Sequence, residues 1–276
     1  MHPLIAECAG KITILAYHNI PSLTDKNELQ SDSVSKDEFE RQMQFLCTNS
    51  FNVIPLQMLV SNLINHKIIK KKTVVITFDD GYRSNFSNAL PVIKKYNIPA
   101  TVFLAAGYIG KNKSFPWLNF PSESSSSEDL KPMDWDEVTK LYNAGIEIGS
   151  HTYSHQFLPM MDNEAIETEI LLSQAIIEEK LGEKPSAFAL PFSFPVFHWS
   201  WPSFKSILLN ALRKGGYKCC CTLLRGHIIQ KTNPFLLKRM VIGKFDNLQS
   251  FNAKLTGRYA WTRVPQMIFQ QFLKKY

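Results

Sequence analysis

The chain has 276 residues, which is enough for one large domain or two small ones. Hydrophobic residues make up 45% and charged residues 20% of it, which excludes a wholly disordered chain, a collagen-like fibre and a small disulfide scaffold. The net charge of +7 is uneven: residues 201–276 carry 14 bases and one acid (+13), whereas residues 1–200 carry 17 bases and 23 acids (−6). The basic C-terminal end predicts either an anionic partner or a merely solubilising face.

Seven short apolar runs rich in Val, Ile, Phe and Thr are predicted to be strands. They span residues 12–17, 73–78, 100–104, 146–149, 186–190, 217–223 and 236–242. Several have no polar alternation, which is typical of parallel strands that helices cover on both faces.

Amphipathic stretches between these runs predict helices at residues 36–49, 84–96, 134–143, 162–181 and 204–214. A capping box of the form S-x-x-E begins at Ser35, and Gly182 stands at a helix C-cap position. Repeated alternation of strand and helix predicts the α/β class. About seven such units favour a distorted (β/α) barrel of about seven parallel strands, with an open doubly wound sheet as the competing layout.

Cysteine content and hydropathy bear on the compartment. Three of the five cysteines are consecutive, Cys219 to Cys221, and neighbours in a strand point to opposite faces, so we expect reduced core residues. Residues 1–10 lack the apolar run of a signal peptide, and no apolar stretch reaches about 18 residues. These features predict a cytoplasmic protein.

A basic amphipathic tail at residues 252–276 predicts either peripheral contact with the inner membrane face or an ordinary closing helix.

Two polar motifs follow predicted strands. Asp79 and Asp80 come directly after the run at 73–78, and His151 and His155 follow the run at 146–149. Functional groups gather at the carboxyl ends of parallel strands, and two adjacent carboxylates repel unless a cation or proton separates them. A surface Asp-Gly turn and a surface histidine pair are the alternatives. Together, one carboxylate and two imidazoles with open positions are typical of a catalytic metal site.

With these motifs the chain resembles the polysaccharide deacetylases of carbohydrate esterase family 4, whose catalytic unit is the NodB homology domain. The resemblance rests on TFDDGY at 77–82, SHTYSH at 150–155 and FALPFS at 188–193, supported by the segments 14–20 and 234–242. It implies a distorted (β/α) barrel with a deacetylase core at residues 73–251. Residues 1–72 are then expected to complete the barrel, and residues 252–276 to form the tail.

The resemblance also implies roles for individual residues. Asp79 is the expected general base, and Asp80, His151 and His155 are the expected ligands of a divalent metal. This donor set favours Zn²⁺.

The substrate side of the site is expected to include Tyr82, Pro191 and the backbone N–H of Phe192, which would stabilise the oxyanion. Four tryptophans are candidates for stacking on sugar rings or for filling the core: Trp117, Trp135, Trp199 and Trp201.

The chain departs from the family pattern in its third motif and in its general acid. Ala189 stands where many members have an arginine that pairs with the base, and Ser193 stands where the pattern has glycine. The late histidine that protonates the leaving amine has no clear counterpart. His198 and His227 are expected in surface loops. His18, at the end of the first strand, is the best placed substitute, with a purely structural role as the alternative.

We therefore predict a metal-dependent carbohydrate N-deacetylase that acts on an acetylated surface glycan or its lipid-linked precursor. The alternatives are a catalytically impaired glycan-binding protein on the same scaffold and an amidohydrolase acting on a non-sugar amide. The sequence contains no P-loop, GxGxxG or nucleic-acid-binding signature, so neither a nucleotide nor nucleic acid is expected as a partner.

Overall fold

The computed structural model describes residues 11–22, 29–118, 128–192 and 203–259. Several residues singled out from the sequence lie outside these ranges: Ser193, His198, Trp199, Trp201 and the tail from residue 260.

Within the described residues, eight parallel strands form one sheet, and seven of them close into a barrel. The strands are β1 (Thr13–Tyr17), β2 (Asn52–Val53), β3 (Thr73–Phe78), β4 (Ala100–Leu104), β5 (Glu147–Ser150), β6 (Ala187–Ala189), β7 (Cys219–Arg225) and β8 (Leu237–Val241). They run in the order β1-β8-β7-β6-β5-β4-β3, and β1 pairs again with β3. The predicted barrel is confirmed, and the open sheet is excluded because β1 closes the ring between β8 and β3.

Seven α-helices surround the sheet in the described residues: α1 (Lys36–Thr48), α2 (Leu56–Ile64), α3 (Leu90–Tyr96), α4 (Trp135–Asn143), α5 (Asn163–Leu181), α6 (Phe204–Lys214) and α7 (Leu248–Thr256). A π-helical turn, Asn85–Ala89, leads into α3.

Five of these helices match the sequence prediction, whereas β2, α2 and α7 were not predicted. No capping side chain bonds to the start of α2, which follows Pro55, so the sequence carried little signal for its start. Helix α7 runs across residue 252, where the sequence placed the start of the tail.

Alternate strand residues pack into two separate apolar layers. Val75 and Phe103 face a barrel interior that also contains Cys219 and Cys221, while Cys220 packs on the other side with α5 and α6. The three cysteines are free and buried, in agreement with the sequence prediction. Because the interior is filled, chemistry is confined to the carboxyl ends of the strands.

Gly149 shows how tightly β5 packs against that interior. A Cβ at this position would lie 2.4 Å from Cδ1 of Phe103 and 3.0 Å from the carbonyl oxygen of Ala187. The Phe103 ring in turn lies under the guanidinium of Arg239, 5.6 Å from its centroid. The absence of a side chain at Gly149 therefore lets β5 and the interior aromatic ring fit together.

We predict that Gly149→Ala lowers the free energy of unfolding by about 1–3 kcal/mol, because the new methyl group overpacks the interior. Urea denaturation measures the change. In the double variant with Phe103→Leu the smaller side chain removes part of the clash, so the combined loss should be less than the sum of the single losses. A strictly additive result would contradict this packing argument.

Candidate active site

Three predicted metal ligands from two loops meet at the mouth of the barrel. Oδ1 of Asp80 lies 3.4 Å from Nε2 of His151 and 3.3 Å from Nε2 of His155. The three donor atoms all lie within 4.8 Å of one another. All three side chains are almost completely buried, so the sequence-predicted cluster is assembled by the fold.

The donor set fits a divalent metal such as Zn²⁺. Tetrahedral bonds of 2.0–2.1 Å place neighbouring ligand atoms about 3.4 Å apart, which matches the two separations from Asp80. Its Oδ1 is buried and makes no hydrogen bond to the described residues. A buried carboxylate oxygen without a hydrogen-bond donor needs a cation nearby, and the two imidazole nitrogens would supply the remaining protein ligands to such an ion.

Two different surroundings orient the imidazoles. Nδ1 of His151 lies 2.8 Å from the carbonyl oxygen of Ala189, a contact that favours a proton on Nδ1 and a lone pair on Nε2. Nδ1 of His155 has no such partner in the described residues. The ring of His155 instead lies between Trp117, stacked at a centroid distance of 4.2 Å, and Phe192 at 4.8 Å.

The backbone of the site adopts a strained conformation at four positions. Asp80 (φ 73°), Thr152 (φ 67°), His155 (φ 54°) and Phe192 (φ 61°) all lie in the left-handed region. Each such residue costs about 1–3 kcal/mol and persists only where its surroundings hold it. The concentration of these residues around one cluster marks a functional site.

The predicted base, Asp79, is paired with Arg239 in β8. The guanidinium donates from Nη1 to Oδ1 and from Nη2 to Oδ2, each at 2.7 Å, and both side chains are fully buried. Nη1 also donates to Oγ1 of Thr77 at 3.1 Å. Burial alone would raise the pKa of Asp79, but the charge of Arg239 holds that pKa below its usual range. Asp79 is therefore an anion at neutral pH.

Sequence reasoning missed Arg239. The third motif has Ala189 where an arginine was expected to pair with the base, but the arginine comes from another strand. The available signal was a charged residue within the apolar run at 236–242. Lys238 is charged as well, and only the register of β8 shows that Arg239 is the one that points inward.

His18 lies beside the same carboxylate, as its position after β1 predicted. Its Nε2 is 3.9 Å from Oδ2 of Asp79, and its side chain is 12% exposed. The backbone carbonyl of His18 accepts a hydrogen bond from Nδ2 of Asn85 at 2.7 Å. The residue thus combines proximity to the base with access to the mouth of the barrel.

The predicted substrate-side residues have different environments. Phe192 is 41% exposed beside His155, and its N–H makes no hydrogen bond within the described residues, whereas Pro191 is buried. Tyr82 is also buried, and its hydroxyl accepts a hydrogen bond from Nε1 of Trp117 at 3.3 Å. Tyr82 therefore supports Trp117, which stacks on His155, whereas Trp135, the other tryptophan of the described residues, lies away from the cluster.

Two other candidates lie elsewhere. Trp135 packs against the outer core and close to Gly110. Nδ1 of His227 lies 3.0 Å from Oγ1 of Thr13, at the opposite end of β1 from the cluster. Burial and the nearby Lys11 lower the pKa of His227 to about 4, so this imidazole is neutral at physiological pH.

Comparisons with known proteins agree on one family. The model for polysaccharide deacetylase matches residues 66–220. A poly-beta-1,6-N-acetyl-D-glucosamine N-deacetylase of Staphylococcus epidermidis is 34% identical over 224 residues, which cover 81% of this chain and 72% of that protein.

Solved structures share the fold. A Streptococcus pyogenes deacetylase in complex with acetate has a TM-score of 0.70 and 21% identity, over 89% of this chain and 98% of that chain. A de-N-acetylase from Aggregatibacter actinomycetemcomitans has a TM-score of 0.72 and 19% identity, over 88% and 99%.

We predict that Arg239→Met destabilises the protein by about 3–5 kcal/mol at pH 7, because it leaves a buried carboxylate unpaired. Without the guanidinium, burial raises the pKa of Asp79 above its unfolded value. The penalty is then present at neutral pH and is relieved as the pH falls through that raised pKa. Urea denaturation should show that the difference in free energy of unfolding between Arg239→Met and wild type becomes smaller from pH 7 to pH 4.5.

The control for this prediction is Arg213→Met, in which an exposed arginine of α6 is removed. Its effect should stay within about 0.5 kcal/mol at every pH. The assigned ion pair would be contradicted if the difference in free energy of unfolding between Arg239→Met and wild type stayed constant or grew as the pH falls.

Proposed function

The chain belongs to the polysaccharide deacetylase family, and we propose that it is a metal-dependent hydrolase of N-acetyl groups on amino sugars. The observation that carries this proposal is the three-donor cluster beside the buried, arginine-paired carboxylate of Asp79. The substrate is proposed to be a surface polysaccharide or its lipid-linked precursor, and the products are acetate and a free amine on the sugar.

Asp80, His151 and His155 are proposed to hold the metal. When bound, a divalent cation, Zn²⁺ by the nature of the donors, supplies Lewis-acid polarisation of the acetyl carbonyl. The remaining functions fall to the protein's own groups. Asp79 takes a proton from the attacking water, and the N–H of Phe192 donates a hydrogen bond to the developing oxyanion.

His18 is proposed as the general acid. Attack of water on the carbonyl carbon forms a C–O bond, and the C–N bond then breaks as the amine leaves. The leaving nitrogen needs a proton, and Nε2 of His18 lies on the same side of the site as the base that has just accepted one. Proton donation by a positioned side chain contributes about 10²–10⁴-fold to a rate.

An apolar wall next to the cluster suits an acetylated sugar. Trp117 and the exposed Phe192 flank His155, and aromatic faces bind the apolar side of sugar rings or a methyl group. The Staphylococcus epidermidis relative is named for poly-beta-1,6-N-acetyl-D-glucosamine. We therefore propose β-1,6-linked N-acetylglucosamine oligomers as the first substrate to test.

The rival is a glycan-binding protein without catalysis, which Ala189 favoured at the level of sequence. The pairing of Arg239 with Asp79 removes that support, since the base keeps its arginine from a different strand. Acetate release separates catalysis from binding alone. A comparison of a sugar amide with a non-sugar amide tests the other alternative, an amidohydrolase that acts on a non-sugar amide.

Cytoplasmic location and contact with a membrane through the basic C-terminal end remain proposals. Among the described residues, no helix has both the length and the apolar character needed to cross a bilayer. Residues 260–276, which carry much of the predicted amphipathic pattern, lie outside the described ranges.

We predict that Asp79→Asn retains the metal but loses turnover by at least about 10²-fold, because the amide cannot accept a proton from water. His155→Ala should lose both, because only two protein ligands remain. Two measurements test both variants: elemental analysis gives the bound metal, and an assay of acetate released from the oligomer gives turnover. Asp136→Asn, an exposed change on α4, is the matched control, and undiminished acetate release by Asp79→Asn would remove the assigned base.

We predict that His18→Gln lowers kcat on the N-acetylated oligomer by about 10²–10⁴-fold. With an aryl acetate ester, whose leaving group needs no proton, the same variant should retain most of the wild-type rate. Measuring both substrates separates an acid from a residue that merely shapes the site. Equal loss on the ester and the amide would rule out the acid role.

A further inference from the structure

We propose that Glu169 is a positioning residue of the metal centre, because its carboxylate fixes the loop that joins the two histidine ligands. This inference rests on the proposed function, since it concerns the same site. Glu169 belongs to α5, and the hydrogen bonds of its carboxylate go to Tyr153 and Ser154 of the loop.

Glu169 is a buried carboxylate that accepts three hydrogen bonds from two consecutive loop residues. Its Oε2 accepts from the N–H of Tyr153 at 3.0 Å and from the N–H of Ser154 at 2.8 Å. Its Oε1 accepts from the hydroxyl of Ser154 at 2.5 Å. Its side chain is almost completely shielded, with 7% exposure.

The loop needs such an acceptor because its backbone is turned sharply between the ligands. Thr152 and His155 both have positive φ, and the two intervening N–H groups point at the same carboxylate. The N–H of His155 is taken by Oγ1 of Thr152 at 3.0 Å. Without the carboxylate of Glu169, the N–H of Ser154 would lose its acceptor, and the N–H of Tyr153 would keep only the backbone carbonyl of Glu169 at 3.0 Å. A loop relaxes to give such partly buried donors a new acceptor.

A relaxed loop would move His155 more than His151. The N–H of His151 is held by the carbonyl of Leu104 at 2.8 Å and its ring by Ala189. The ring of His155 has no hydrogen-bonded partner on Nδ1 in the described residues. Its orientation therefore depends on the loop backbone and on the flanking rings of Trp117 and Phe192, so loss of the Glu169 carboxylate should appear as weaker metal binding.

The role is one of hydrogen-bond acceptance rather than charge. The three donors to the carboxylate of Glu169 are two backbone N–H groups and one hydroxyl, and all of them are neutral. A glutamine can keep the amide oxygen on the two N–H groups and turn its NH₂ toward Oγ of Ser154, which also accepts. An aspartate keeps the charge but is one methylene too short to reach the loop.

The experiment measures Co²⁺ affinity of the metal-free protein by visible absorbance, with no substrate present. We expect Glu169→Ala and Glu169→Asp to weaken Co²⁺ binding about 10–100-fold, the usual effect of losing a group that orients a ligand. Glu169→Gln should stay within about threefold of wild type. Glu178→Ala, an exposed change on the same helix, is the control.

The Gln and Asp variants decide the question even if Glu169→Ala fails to fold. Wild-type affinity in Glu169→Asp, or equal damage in Glu169→Gln and Glu169→Asp, overturns the positioning role. If wild type itself binds no Co²⁺, the proposed metal-dependent function fails, whatever Glu169 does. If wild type binds Co²⁺ and all variants match it, only the inference about Glu169 fails.

Discussion

Two adjacent carboxylates buried at the mouth of a barrel are the constraint on which the site depends. Asp79 and Asp80 are both almost inaccessible to water, and two neighbouring anions in such a place need positive charge close by. The protein meets this need in two ways. Arg239 supplies a permanent cation to Asp79 through two parallel hydrogen bonds, while Asp80 faces two imidazole nitrogens in an arrangement suited to a divalent ion.

This division of charge explains how neighbouring residues with the same side chain can have different roles. The carboxylate of Asp79 is fixed by the guanidinium, keeps its negative charge at neutral pH and is proposed to accept a proton from water. The carboxylate of Asp80 keeps one oxygen free of hydrogen bonds and is proposed to bind the metal. The left-handed backbone at Asp80 turns the two side chains toward their separate partners.

The barrel holds the residues of the site in conformations that would otherwise be unfavourable. Polar residues that follow β1, β3 and β5, together with Arg239 of β8, meet at the same rim, and a packed interior beneath them holds the strand ends in place. The loops above the strands keep several non-glycine residues in strained conformations. That strain is offset by hydrogen bonds from outside the site, of which the contacts of Glu169 are the most concentrated.

The sequence by itself determined the class of fold, all seven strands of the closed barrel and the candidate metal cluster, because these depend on local hydrophobic patterns and on residue types at strand ends. It did not reveal α2, which lacks a side-chain cap at its start. Only the tertiary structure decided which arginine pairs with Asp79 in place of the one absent at Ala189. That residue is Arg239, which is 160 residues from Asp79 along the chain. Strand order and register decide such a contact, and neither can be read from one strand alone.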